Sequence, residues 1–303
     1  MQDIRKLAIL IFHPGEGEHA LTGVEHDAQN MYNFLLSPRG GGWRLEEVVV
    51  LWKGSRREIL RIVQAAEADY LFVYYSGHGA GQLTPVWEGD VWHFVDERWL
   101  EMGPNRFMQD LALINGTVLR QLIVCDCCRN RPSARIGGIP EVLEEIPYTD
   151  QEVEIARRRF DSSIWSSPAG CTIVHSTSDG QLSWDSSDGG VFTGAFLRRA
   201  LEWRAGYPFS GLSVEDMVMY LSDVLGKRRR PQVPEITYKI GALTVPVVLN
   251  TPWPSRTPAR VRSVYSPERT VFSDVRPSAS PQINGWVALG GIALGLLLLR
   301  ELE

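Results

Sequence analysis

The sequence predicts an α/β protein: a mainly parallel central sheet of about six strands, sandwiched between helices. Short continuous apolar runs recur along the chain, as strands buried on both faces require. Between them lie amphipathic stretches that open on helix-capping signals. A further observation concerns the segment QLIVCDCCRN, which holds Cys125, Cys127 and Cys128 in a chain of only 4 cysteines. It falls at the exit of one apolar run, where parallel sheets gather their reacting groups.

The elements follow in order. Lys6–Phe12 (KLAILIF) is the first strand; no small-residue cleavage site follows it, so it reads as structure and not as a signal peptide. Thr22-x-x-Glu25 forms a capping box opening the first helix, with Val24, Ala28, Met31 and Leu35 on one face. Glu47–Leu51 is the second strand. Ser55-x-x-Glu58 then opens a helix that turns Ile59, Ile62, Val63 and Ala66 inward. Tyr70–Tyr75, Leu119–Cys125 and Cys171–Ser176 are the third, fourth and fifth strands. Ser213-x-x-Asp216 opens a late helix, and Ile236–Leu249 supplies the last strand material. No internal repeat is visible.

Residues 1–250 are therefore the globular body. Residues 251–282 are rich in Pro, Ser and Arg without any period, which predicts a disordered linker. Residues 283–303 carry an uncharged run from Trp286 to Leu299. Roughly 17 apolar residues at about 1.5 Å each span about 25 Å, slightly less than a hydrocarbon core of about 30 Å. A buried helix or an oligomerisation tail is the bland alternative. The position at the end of the chain favours a single-pass membrane anchor, with the body on the cytoplasmic side. Gly291 and Gly295 form a small-xxx-small pair that permits close helix pairing and hence a homo-oligomer.

Composition narrows the classes. A chain of 303 residues, 44% hydrophobic, can bury one large core or two modest ones. A net charge of −5 speaks against nucleic-acid binding. Adjacent Cys127 and Cys128 could pair only in a strained ring, so no disulfide framework is expected and a reducing compartment fits.

The third strand leaves the sheet through YYSGHGAGQ and the fourth through VCDCCRN. One exit delivers an imidazole, His78, between glycines; the other delivers a thiol, Cys128. Such a pair at neighbouring strand ends is the minimum for nucleophilic catalysis. Three bland readings compete. GHGAG follows the third strand and misses the G-x-G-x-x-G register of a dinucleotide loop. The cysteines lack the two-residue gap and the second ligand pair of a metal site. A lone buried His or Cys is usually structural, but the two together are harder to dismiss.

YYSGHG followed by a strand ending in D-x-C-R-N resembles the caspase-like cysteine protease superfamily, and most nearly its bacterial metacaspase and orthocaspase members. GVEHDAQNMYNFL, GGVFTGAFLRRAL and RRPQVPEI are supporting matches, so the similarity spans most of residues 1–250. The resemblance implies a caspase-like fold and a His78–Cys128 dyad, with the backbone N–H groups of Gly79 and Cys128 as oxyanion hole. Cys127 then takes the variable middle position of D-x-C, and Cys125 belongs to the packing layer. Caspases that cut after aspartate place glutamine where this chain has Asp126. The metacaspase-like pattern instead puts two acids, here Asp27 and Asp126, at the floor of the pocket for the residue before the cut, with Ser76 on its wall. Two carboxylates attract guanidinium and repel aspartate, so cleavage is expected after Arg and less readily after Lys. The plain alternative is that Asp27 only supports a helix start. Ser176 and Asp179 fall where relatives begin a substrate-contacting loop. His13, His19, His26, His93 and His175 belong to no motif.

Self-processing is a further expectation. Arg157, Arg158 and Arg159, within the 131–167 connection, read as an exposed cleavable loop; alternatively they line a charged helix face with Glu and Arg four apart. Arg260, Arg262, Arg269 and Arg276 offer similar sites in the linker. Glu88, Asp90 and Asp96 are too scattered for a calcium loop, so no metal or other cofactor is expected. The expected partners are a protein or peptide with a basic residue before the cut, a membrane, and a second copy. The runner-up reading is a catalytically silent scaffold that assembles through its tail.

Overall fold

A computed structural model describes residues 4–15, 20–54, 56–66, 68–84, 87–94, 97–100, 120–128, 148–186, 189–205, 207, 210–241 and 243–250. The linker and tail read from the sequence, with their arginines, lie outside these residues, as do Ser55 and His19.

The central sheet has six strands in the order β12-β8-β7-β3-β1-β2. Here β1 is Lys6–His13, β2 Val48–Trp52, β3 Tyr70–Gly77, β7 Arg120–Asp126, β8 Gly170–His175 and β12 Glu235–Gly241. All neighbours run parallel except β12, which pairs antiparallel with β8 at the edge. Every residue of β1 and β3 is buried, as a strand covered on both faces requires. Their side chains alternate between two cores. Ala8, Leu10 and Phe12 join Tyr70, Phe72 and Tyr74 on one face. Leu7, Ile9 and Ile11 join Leu71, Val73 and Tyr75 on the other, where Cys125, Cys127 and Cys171 also pack.

The larger core is covered by helices α1 (Val24–Leu36), α3 (Asp150–Ser166), α4 (Val191–Glu202) and α5 (Val214–Gly226), and the smaller by α2 (Arg56–Ala66). The Ser213 cap on α5 forms as expected, its hydroxyl accepting from the Asp216 N–H at 3.0 Å. The Thr22 box does not: α1 starts at Val24 behind Gly23, with no side-chain cap. Asp185 Oδ2 accepts the Gly23 N–H at 3.2 Å instead.

Two stretches differ from the sequence reading. Beyond His78 the chain forms a separate antiparallel sheet of β4 (Gly79–Thr84), β5 (Trp87–Phe94) and β6 (Glu97–Leu100), with Glu88 and Asp90 on β5. The final strand material divides: β12 joins the main sheet, while β13 (Val248–Leu249) pairs with β11 (Gly211–Leu212), and the short strands β9 (Asp185–Ser186) and β10 (Gly189–Gly190) pair with each other.

The largest correction concerns Arg157, Arg158 and Arg159. They do not lie on a loop but within α3, so the helix-face alternative describes them. Thr149 and Glu152 form a reciprocal capping box, and Ala156, Phe160 and Ile164 form the buried stripe. Arg157 is itself buried and grips both Glu47 oxygens, at 2.6 Å each. Arg158 pairs with Glu154 at 2.9 Å. A protease needs extended backbone, and a packed helix does not offer it. The same helix holds Asp161 against the buried Lys6 ammonium at 2.7 Å, over the Trp43 ring.

Candidate active site

Strand register builds the site. Tyr75 of β3 pairs with Cys125 of β7, and Ser76 pairs with Asp126. Two residues further along each strand come His78 and Cys128, which therefore leave the sheet side by side at its carboxyl edge. The exits touch: a Cβ added to Gly79 would stand 2.7 Å from Cys127 Cβ and 2.8 Å from both Cys127 Sγ and Cys128 O. His78 is fixed through its backbone. Its N–H donates to His13 O at 3.3 Å, and its carbonyl accepts from the Tyr75 hydroxyl at 2.6 Å.

Of the adjacent cysteines, Cys127 is buried and Cys128 half-buried. The Cys128 thiol donates to the Ser183 carbonyl at 3.4 Å. Burial pushes this thiol above its ordinary value; the Ser183 contact opposes the shift, and the Asp126 and Asp185 charges add to it. The resting sulfur is thus a neutral thiol that needs a neighbouring base to react.

Asp27 and Asp126 meet from different elements. Asp27 lies in the first turn of α1, where the helix dipole favours a carboxylate; Asp126 ends β7. Both are buried, at 1% and 5% exposure. The missing side chain of Gly190 lies between them, since a Cβ there would be 2.5 Å from Asp126 Oδ2 and 3.0 Å from Asp27 Oδ2. Asp27 accepts from Ser76 Oγ at 2.7 Å and Gly190 N–H at 2.8 Å. Asp126 accepts from Ser183 Oγ at 2.7 Å, and from Thr193 through its hydroxyl at 2.6 Å and its N–H at 3.2 Å. Burial, then the charge of Asp126, holds the Asp27 carboxyl well above the carboxylate range; burial raises Asp126 against its hydrogen bonds. Among the described residues, no Lys or Arg forms an ion pair with either group.

Sequence reasoning missed the residues that tie this cluster together. Ser183 bridges the thiol and Asp126. Gln232, with 0% exposure, donates to Ser176 O at 2.9 Å and Ser183 Oγ at 3.0 Å, and accepts from the Trp184 N–H at 3.4 Å. Gln181 accepts from Val233 N–H at 3.1 Å and Thr177 Oγ at 3.2 Å. Asp185 adds negative charge near Cys128. Glycines at 189 and 190 ahead of a helix were the one legible signal. Ser176 takes part, donating to Ser183 Oγ at 3.1 Å, whereas Asp179 is exposed on a turn. His13 and His175 are buried in β1 and β8, and His26 is exposed on α1. The side chains of Glu88, Asp90, His93 and Asp96 lie outside the description.

Comparison with known proteins gives a consistent picture. The family model described as "Caspase domain" matches residues 5–242. The fold resembles caspase-1 from Spodoptera frugiperda, with a TM-score of 0.50 and 17% identity over 82% of this chain and 89% of that one. It resembles equally a protein from Geobacter sulfurreducens, with a TM-score of 0.51 and 18% identity over 82% of this chain and 98% of that one. No curated protein matches the sequence. At such identities the two structures speak for the fold alone.

Proposed function

The chain belongs to the caspase-domain family, and from that premise we propose that it is a cysteine endopeptidase cutting after arginine, and less readily after lysine. The observation that carries the preference is the pair Asp27 and Asp126: two buried carboxylates, joined through Gly190, with no cation paired to them among the described residues. A buried charge without a counter-charge is costly, and one side of it must be neutralised. A guanidinium does so with a planar fork that spans two carboxylates; an ammonium offers only a point charge. Ser76 holds Asp27 in place.

In the proposed reaction, His78 takes the thiol proton as Cys128 Sγ attacks the scissile carbonyl carbon. The N–H groups of Gly79 and Cys128 receive the developing oxyanion. His78 then returns the proton to the leaving amine, and water hydrolyses the thioester. His78 is needed at the first step because burial keeps the sulfur protonated. No metal or cofactor enters.

The tail is proposed to tether this activity to a membrane, with the protease on the cytoplasmic side. Self-cleavage in the 251–282 linker and pairing of tails remain parts of the same reading, whereas Arg157, Arg158 and Arg159 of the 131–167 connection lie within α3. Carbonate extraction tests the tether: recovery of full-length protein in the soluble fraction removes it.

Peptides carrying Arg, Lys, citrulline or Asp before a fluorogenic group test the chemistry. Turnover should be greatest for Arg, vanish in Cys128→Ala and persist in Cys127→Ala. Cleavage after Asp alone would overturn the acidic pocket; full activity in Cys128→Ala would overturn the nucleophile.

A further inference from the structure

We propose that the connection between α5 and β12 is a self-cleavage site, cut after Arg229 by a second copy of the enzyme, and that this cut slows the enzyme. The proposal rests on the arginine preference above.

The connection reads KRRRPQVP, and Lys227 to Pro231 are exposed in neither helix nor strand. The Arg228 and Gln232 N–H groups both donate to Leu225 O, at 3.3 Å each. The intervening residues are therefore a loop closed on one carbonyl. Among them, Arg230 has its guanidinium lying 5.1 Å above Trp184. This is the exposed, basic chain outside helix and strand that Arg157–Arg159 fail to provide.

The neighbours select the bond. A cut after Arg228 would draw Leu225, buried in the core, into the residues that must bind extended. A cut after Arg230 would have Pro231 as leaving group, and its ring removes the N–H and fixes φ. Arg229 has Gly226 to Arg228 behind it and Arg230 ahead. The step is a plain hydrolysis: Cys128 Sγ adds to the Arg229 carbonyl, the C–N bond breaks, and Arg230 leaves as an amine carrying the proton from His78. Water then releases the Arg229 carboxylate and restores the thiol.

Anchoring makes the reaction intermolecular. Three residues beyond Arg229, Gln232 is buried against Ser183, whose carbonyl accepts the Cys128 thiol proton. A loop entering its own site would pull that anchor out. The same anchor transmits the cut. Once Arg230 is a chain end, residues 230–232 are held from one side only, and Gln232 loses its hold on Ser183 and Trp184.

The test uses full-length Cys128→Ala chain as substrate for a small amount of active enzyme, read by intact mass, with Arg-peptide turnover measured in parallel. Two fragments dividing between 229 and 230 are expected, and none of that mass from Cys128→Ala/Arg229→Gln. The active enzyme should lose rate in step with the nicked fraction, faster at higher enzyme concentration, while Arg229→Gln keeps its starting rate. If the Arg peptide is turned over but the chain stays intact or is cut only elsewhere, the proposal falls and the arginine preference stands. A nicked enzyme with undiminished rate overturns the braking role. Absence of Arg-peptide turnover removes both.

Discussion

Gly79→Ala probes how closely the two strand exits must approach. Its torsion leaves the residue type open, so the obstacle is space: the new methyl would stand 2.7 Å from Cys127 Cβ and 2.8 Å from both Cys127 Sγ and Cys128 O. Nonbonded carbons settle about 3.5–4.0 Å apart, so the exits must part by close to about 1 Å. Gly79 is a proposed oxyanion donor between His78 and the cysteines, and the displacement therefore falls on the whole machinery. A misplacement of about 1 Å costs on the order of 100-fold, and one lost oxyanion donor costs about 10²–10³ in kcat. We expect kcat to fall at least about 100-fold, near 2.7 kcal/mol, with KM changed far less. Overpacking should remove about 1–3 kcal/mol of stability. Steady-state kinetics on the Arg peptide and calorimetry read both quantities. Adding Cys127→Gly removes two of the three obstructing atoms and should restore part of kcat. Near-normal kcat in Gly79→Ala, or a double variant regaining stability without any activity, would refute the packing argument.

Because burial raises both Asp27 and Asp126, and the Asp126 charge raises Asp27 further, kcat/KM for the Arg peptide should rise with pH through that raised range. A citrulline peptide should stay flat over the same pH series. The shift also has a sign for stability: the folded pair binds protons that the unfolded chain has released, so its contribution favours the fold in acid and is lost as pH rises through the folded value. Asp27→Asn should accordingly raise Tm at neutral pH while erasing the Arg preference, and an unchanged or lower Tm would contradict the shift. The raised Cys128 thiol predicts slow alkylation by iodoacetamide at pH 7, and Asp185→Asn should speed it by relieving a nearby charge; an unchanged rate removes Asp185 from the site's electrostatics. Asp161→Ala strands a Lys6 side chain with 0% exposure and should cost about 3–5 kcal/mol in denaturant unfolding, most of it recovered in Lys6→Met/Asp161→Leu.

How much could be read in advance depended on whether a signal was local. Runs such as LAILIF (Leu7–Phe12) and YLFVYY are apolar at every position, and only a strand between two layers satisfies that pattern, so the sheet was legible. His78 and Cys128 were legible because they immediately follow those strands. Arg157–Arg159 misled because three charges dominate a short window, whereas the deciding features are the Thr149–Glu152 cap and the stripe of Ala156, Phe160 and Ile164. The Thr22 box failed for a tertiary reason, since Asp185 from a distant segment takes the Gly23 N–H. Ser183, Thr193 and Gln232 were invisible for the same reason. Their spacing along the chain carries no period, and only the closing of α4 and the α5–β12 connection onto β7 gives them roles.

The acid pair shows why such a site is paid for by the fold and repaid by the substrate. Folding buries both carboxylates and raises the free energy of their charged forms. The guanidinium of the proposed substrate would meet oxygens already stripped of water and held by Ser76, Gly190, Ser183 and Thr193, with little further reorganisation. An aspartate would add a third negative charge at the same depth, and an uncharged side chain would leave the pair unrelieved. On the proposed function, selectivity comes from a penalty that only one charge sign removes. The same reasoning joins recognition to chemistry: Asp126 both forms half of the pair and helps hold the Cys128 thiol in its protonated form, so neutralising Asp126 with substrate guanidinium also lowers the cost of the thiolate. Under the proposed function, binding the right residue and readying the nucleophile are, at Asp126, one electrostatic event.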